Sequence, residues 1–135
     1  MKPDIEFLQA TDVPYLHHEQ VHLYGGDSGL RDPALLESAV AQPAATFDGK
    51  YLHSFPHEMA AAYLFHLVGN HPFVDGNKRA GVVAALVFLD LNGYETDAKR
   101  GEVYDLTIGV ARGQIGKAEV AQWFQDHTWP READS

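Results

Sequence analysis

Between the two most apolar runs of the chain lies a short polar segment, His71-Pro72-Phe73-Val74-Asp75-Gly76-Asn77-Lys78-Arg79, which gathers an imidazole, a carboxylate, an amide and two cations. Those residue types suit phosphate chemistry. Asp75-Gly76-Asn77 at the start of a helix would direct free backbone N–H groups outward, and glycine would let a ligand approach the main chain, which together make an anion site. Arg79 can clamp two phosphate oxygens at once, Lys78 supplies a point charge, and Asp75 offers a carboxylate to Mg²⁺ bridging the phosphates of a nucleotide. His71, a few residues upstream, is the candidate general base. Phe73 reads as an anchor in the core and Pro72 as a stiffener of the loop. The same residues also admit a purely structural arrangement. In it Asp75 caps the following helix, Asn77 turns the chain, His71 caps the preceding helix, and Lys78 and Arg79 are solvated.

The elements on either side must hold that segment still. Upstream, His57 to Val68 reads HEMAAAYLFHLV, and downstream, Ala80 to Leu91 reads AGVVAALVFLDL. Each is apolar nearly all round, which places both as helices in the centre of the fold. Before them, Thr11 or Asp12 can cap a helix with Pro14 in its first turn, carried on by Val13, Leu16, Gln20 and Leu23 and ended by Gly25-Gly26. Asp32-Pro33 opens a short helix with Leu35, Leu36, Ala39 and Val40 as its apolar face, and Gln42-Pro43 stops it. The stretch from Ala44 to Pro56 is irregular and rich in aromatics. Beyond the centre, Asn92-Gly93 ends the apolar helix, Lys99 to Arg112 and Lys117 to His127 give two more, and Pro130 to Ser135 reads as a frayed tail. The pattern predicts an all-α fold of about six helices, with at most a short hairpin where Tyr51 to Phe55 alternates. It forms one domain over 1–129, with a flexible tail over 130–135.

Composition narrows the classes. At 135 residues and 45% hydrophobic content the chain can bury a core of its own without metal or disulfide help, and it has no cysteine, which fits a reducing cytoplasm. No stretch has the length of a bilayer span and no secretory leader is visible, so no membrane association is expected. A formal net charge of −9 repels phosphate backbones and argues against direct nucleic-acid binding. Within the first helix, His18-Glu19-Gln20-Val21-His22 spells the H-E-x-x-H pattern of zinc proteases. Such a site needs a third ligand and a wide cleft, so a solvated helical face is the better reading of it.

The segment HPFVDGNKR resembles the signature of the Fic/Doc family, whose common pattern is H-P-F-x-[D/E]-G-N-G-R-x-x-R. YGGDSGLRDPALLESAVAQP, EMAAAYLFHLVGNHPFVDGNKRAG and FLDLNGYE are similar to the Doc branch, so the resemblance extends over most of the chain. It implies that His71 deprotonates an attacking hydroxyl, Asp75 holds Mg²⁺, Gly76 and Asn77 line the phosphate cradle, and Arg79 neutralises the phosphates. Two positions depart from the common pattern: Lys78 replaces a glycine and Val82 replaces the second arginine. Lys78 is what the Doc branch shows. The implied activity is that of a toxin that transfers the γ-phosphate of ATP to a protein hydroxyl, by analogy a threonine of elongation factor Tu, and so stops translation. A Fic-type adenylyltransferase and a catalytically idle Fic-fold binding module are the alternatives. Self-inhibiting relatives carry [S/T]-x-x-x-E-[G/N], but here Ser54 to Glu58 is followed by Met59 and reads as a capping arrangement. Inhibition is therefore expected from a separate antitoxin whose disordered segment folds into a groove beside the motif. The aromatic loop from Phe47 to Phe55 is the candidate wall of that groove.

Overall fold

Two long apolar sequences that must each be buried on every side can satisfy one another only at the middle of a bundle, and the computed structural model places them there. It describes residues 4–97 and 100–132. The elements are α1 (Asp12–Tyr24), α2 (Pro33–Ala41), β1 (Thr46–Phe47), β2 (Lys50–Tyr51), α3 (His57–Asn70), α4 (Asn77–Leu91), β3 (Tyr94–Thr96), α5 (Arg100–Ala111), α6 (Lys117–His127) and β4 (Thr128–Pro130). A single 3₁₀ turn, Gln42–Ala44, follows α2. Among the described residues the fold is helical, with six α-helices and two small strand pairs, as expected of an all-α class, and no helix there is long and apolar enough to cross a membrane.

Antiparallel α3 and α4 form the axis of the core. Met59, Tyr63, Leu64, Leu67 and Val68 of α3 and Ala84, Ala85, Phe88 and Leu89 of α4 are all buried. The remaining helices add Val13, Leu36, Ala39, Val103, Val120 and Phe124 to the same cluster. Within it the Tyr63 hydroxyl accepts the Leu8 N–H at 2.8 Å and donates to the Leu8 carbonyl at 3.3 Å, which ties the N-terminal segment to α3.

Several local rules hold as the sequence suggests. The Asp32 carboxylate accepts the Leu35 N–H and Pro33 sits at the first helical position of α2. Glu58 accepts the Ser54 N–H at 3.0 Å, but the N-cap of α3 is Pro56 and no side chain caps the helix, so only the backward bond of the expected capping arrangement forms. Thr11 stands at the N-cap of α1 but makes no side-chain cap bond. The buried face of α1 is Val13, His17, Gln20 and Val21, whereas Leu23 is exposed, so the helix is rotated from the expected stripe. The expected start of α5 at Lys99 lies outside the described residues, and α5 begins at Arg100.

Two strand pairs correct the expected hairpin. The first, β1 with β2, ends at Tyr51 instead of starting there, because Asp48 (φ 53°) and Gly49 (φ 78°) form its two-residue turn, both in the left-handed region. The second pairs β3 with β4, Glu95 opposite Trp129. Pro130 thus pairs with Tyr94, and Arg131 bridges Asp90 and Glu95 while its N–H donates to the Gly93 carbonyl. Ordered contacts therefore run past the point where the sequence pattern fades.

The approach of α3 to α4 depends on Gly81. A Cβ there would stand 3.0 Å from Val68 Cγ2 and 3.2 Å from the Leu64 carbonyl oxygen. Replacing Gly81 with valine should therefore push the central pair apart and cost about 1–3 kcal/mol, against well under 1 kcal/mol for an exposed position. Urea unfolding followed by circular dichroism measures the difference.

Candidate functional site

The polar segment forms the turn between α3 and α4, and one buried side chain closes it. Asn77, 4% exposed, accepts the Phe73 N–H at Oδ1 (2.9 Å) and donates from Nδ2 to the Phe73 carbonyl (2.9 Å). The N–H donor at Phe73 fixes which way the amide faces. Its remaining Nδ2 hydrogen then points at His71 Nδ1, 3.1 Å away, so the neutral imidazole accepts there and carries its own proton on Nε2. His71 itself ends α3 in the left-handed conformation (φ 52°), with its ring exposed at the surface.

A second segment, 29–32, braces the turn from outside. Val74 N–H donates to the Gly29 carbonyl, Arg31 and Asp32 N–H groups both donate to the Pro72 carbonyl, and Leu30 bridges Phe73. Arg31 adds its guanidinium to the open end of α3, donating to the His71 carbonyl at 2.8 Å and the Asn70 carbonyl at 3.2 Å. From inside the fold comes His17, 1% exposed and stacked on Phe73 with ring centroids 3.7 Å apart. Its Nε2 lies 2.6 Å from the Asp75 carbonyl oxygen and donates to it. Burial, with a smaller contribution from the Arg79 charge, pushes the His17 pKa down and keeps the ring neutral. Sequence reading passed over His17 for its neighbours His18 and His22. The signal was its helical phase, four residues after Val13 and three before Gln20.

Helix α4 starts earlier than its apolar run, at Asn77, with Gly76 as N-cap at φ 76° and no side chain capping it. The first-turn N–H groups of a 15-residue helix are thereby left facing outward, the arrangement that binds anions. The positive φ of Gly76 favours glycine, and a Cβ there would stand a tight 3.3 Å from His17 Nε2. Asp75 does not cap the helix. Its side chain is exposed and its Oδ2 accepts the Asp27 N–H at 3.0 Å, while Oδ1 has no hydrogen bond among the described residues. Arg79 is half-buried: Nη2 donates to the Gly25 carbonyl at 2.9 Å and Nη1 to the Gln20 carbonyl at 3.4 Å, at the C-terminal end of α1. Lys78, also half-buried, makes no ion pair among the described residues. One end of the bundle thus brings together His71, Asp75, Gly76, Lys78 and Arg79, while the Asn77 side chain is spent inside the turn.

One expectation, the solvated face of α1, agrees with the structure and one is corrected. His18, Glu19 and His22 lie exposed on α1, and no group of three or more His, Asp or Glu among the described residues is placed to hold a metal. The aromatic loop does not flank the motif. Phe55 packs on Phe88 and Tyr94, and Tyr51 on Phe7. Because α3 has 14 residues and is about 21 Å long, the loop before its first turn sits at the far end of the bundle from the turn after its last. The segment beside the motif is 25–32 instead.

Comparison with known proteins agrees with this geometry. A model of the Fic/DOC family matches residues 7–89. The chain is 34% identical over 114 residues to "Protein kinase doc" of Escherichia phage P1, covering 84% of this chain and 89% of that one. It is 44% identical over 75 residues to "Toxin Doc" of Mycolicibacterium smegmatis, covering 56% of this chain and 58% of that one.

The buried and half-buried histidines make stability depend on pH. Burial lowers His17, His53 and His57 from the ordinary 6.5, and burial together with the Lys117 charge lowers His66 to about 4. In the unfolded chain these rings take up protons as pH falls through 6.5, while in the fold they stay neutral, so stability is full above that value and declines from there toward 4. His17→Phe keeps the stack on Phe73 and removes the bond to Asp75. It should cost about 1–3 kcal/mol at neutral pH and flatten part of the acid-side decline, both read from melting curves at stepped pH.

Proposed function

This chain belongs to the Fic/DOC family, and on that premise we propose that it is a Doc-type toxin, a kinase that moves the γ-phosphate of ATP onto a protein hydroxyl. The observation that carries the reading is the uncapped start of α4, flanked by an exposed imidazole, an exposed carboxylate and two cations. Phosphoryl transfer asks a protein mainly for positioning and charge neutralisation, and this site consists of little else. The names of both relatives, a kinase and a toxin, support the same assignment.

Each residue has a task in this reading. The N–H groups of the first turn of α4, with Gly76 giving access, bind the phosphates, and Arg79 and Lys78 offset their charge. Asp75 fits Mg²⁺, a cation that takes one or two carboxylates beside phosphate oxygens and water, and its Oδ1 is the oxygen available. When bound, Mg²⁺ supplies positive charge to the phosphate oxygens. His71 takes the proton of the target hydroxyl as its oxygen bonds to the γ-phosphorus, and ADP departs with the electrons of the broken P–O bond. The lone pair of His71 rests on Nδ1 under the Asn77 amide, so this step needs that bond released or the ring proton moved. Lys78 fills the space that glycine leaves open in the common family pattern and brings a charge suited to a terminal phosphate, which favours phosphate over AMP transfer. The target carried over from the resemblance is a threonine of elongation factor Tu. The partner that neutralises the toxin is a separate antitoxin.

Label from γ-labelled ATP should reach the target protein and label from α-labelled ATP should not, with Mg²⁺ in both trials; the reverse result makes the protein an adenylyltransferase. His71→Ala should lower transfer by about 10²- to 10⁴-fold and relieve growth arrest at equal expression. Lys78→Gly should lower phosphate transfer and admit weak AMP transfer.

A further inference from the structure

Gly76 opens the cradle to an anion, and the same freedom leaves the main chain there able to turn over. Glycine takes positive and negative φ about equally well, so nothing within Gly76 itself fixes the direction of the Asp75–Gly76 peptide. That peptide is trans, and its C=O and N–H point in opposite directions. With the N–H outward the cradle gains a donor for phosphate; with the carbonyl outward it presents a negative dipole to a negative ligand. We infer that His17 is a positioning residue for the phosphate donor: it holds the Asp75 carbonyl inward and so turns the Gly76 N–H out to meet a phosphate oxygen. The inference rests on the phosphate-transfer reading above and adds to it a residue of α1 that lies beneath the site.

The His17 ring is placed to act as this latch. Its Nε2 donates to the Asp75 carbonyl at 2.6 Å, a short bond for an N–H···O pair. The stack on Phe73, with planes 6° apart, and near-complete burial leave the ring no other orientation to drift into. A Cβ on Gly76 would stand 3.3 Å from the same Nε2, so the ring occupies the inner side of Gly76 as well as of Asp75. Of the main-chain groups around this peptide, one is left over. The Asp75 carbonyl goes to His17 and the Gly76 carbonyl accepts the Ala80 N–H, whereas the Gly76 N–H has no partner among the described residues. A main-chain N–H in that position takes its partner from water or from a ligand, and this one lies next to the first-turn N–H groups of α4. Position 17 also needs a donor. Burial, with a smaller contribution from the Arg79 charge, keeps the imidazole neutral, so the ring has a single N–H and spends it on Asp75.

Two substitutions separate the donor from the ring. His17→Phe keeps the stack without the N–H, and His17→Gln keeps an N–H the same number of bonds from Cα without the stack. Affinity for MgATP is measured by calorimetry on the full chain, with the melting temperature alongside. His17→Phe should bind MgATP about tenfold or more weakly, as the loss of one N–H donor to a charged oxygen predicts, while His17→Gln should stay within about threefold of the wild type although it melts lower. A further measurement needs no variant: when MgATP is added to the wild type, the Gly76 amide proton should move downfield in the NMR spectrum as its new hydrogen bond forms. Wild-type affinity in His17→Phe overturns the role of His17. So does equal weakening in both variants, since the stack and not the donor would then matter, and so does a Gly76 amide that stays in place while those of Lys78 and Arg79 move. Each of these leaves the transfer reading standing, whereas a wild type that binds no MgATP overturns both.

Discussion

Everything at the candidate site is hung on a single amide. Asn77 sits in the first turn of α4, yet its side chain reaches back to both main-chain groups of Phe73 and to the ring of His71. A turn of six residues between two buried helices would otherwise leave the Phe73 peptide unpaired beside the core, at a cost of a few kcal/mol. The amide removes that cost and, in the same act, sets the distance between the end of α3 and the start of α4. His71 and Asp75 can remain exposed, each with one hydrogen bond to its side chain, because the residue that holds the turn shut is not one of them.

Around this turn the fold supplies three independent braces. The stack of His17 on Phe73 works from the core, the backbone pairing of 29–32 from outside, and the Arg31 guanidinium from the end of α3. Each approaches from a different direction, and each engages main-chain atoms or the buried ring while leaving Lys78 free. Rigidity of this kind is what a reaction that depends on placement demands.

Much of this was legible in the sequence because it is local. Unbroken apolar runs mark α3 and α4, Asp32-Pro33 marks the start of α2, and the glycine between Asp75 and Asn77 marks an open helix start. What could not be read is what depends on chain direction and side-chain reach. The aromatic loop seemed close to the motif because it is close in sequence to α3, but a helix carries its two ends far apart. Histidine 17 hid beside a more conspicuous pattern, since only the phase of α1 shows which of three histidines turns inward. The β3–β4 pair joins segments more than thirty residues apart, and no periodicity in either announces the other.

Arg79 donates to two main-chain carbonyls at the end of α1, so its guanidinium is held by dipoles, with no salt bridge to a carboxylate among the described residues. A guanidinium salt-bridged to an acid would have to exchange one full charge for another when a phosphate arrived. One left waving in water would have to surrender up to about 2 kcal/mol of rotamer entropy. Held as it is, the side chain is already ordered and still electrostatically unspent, so an incoming anion meets a cation whose cost of immobilisation was met when the chain folded.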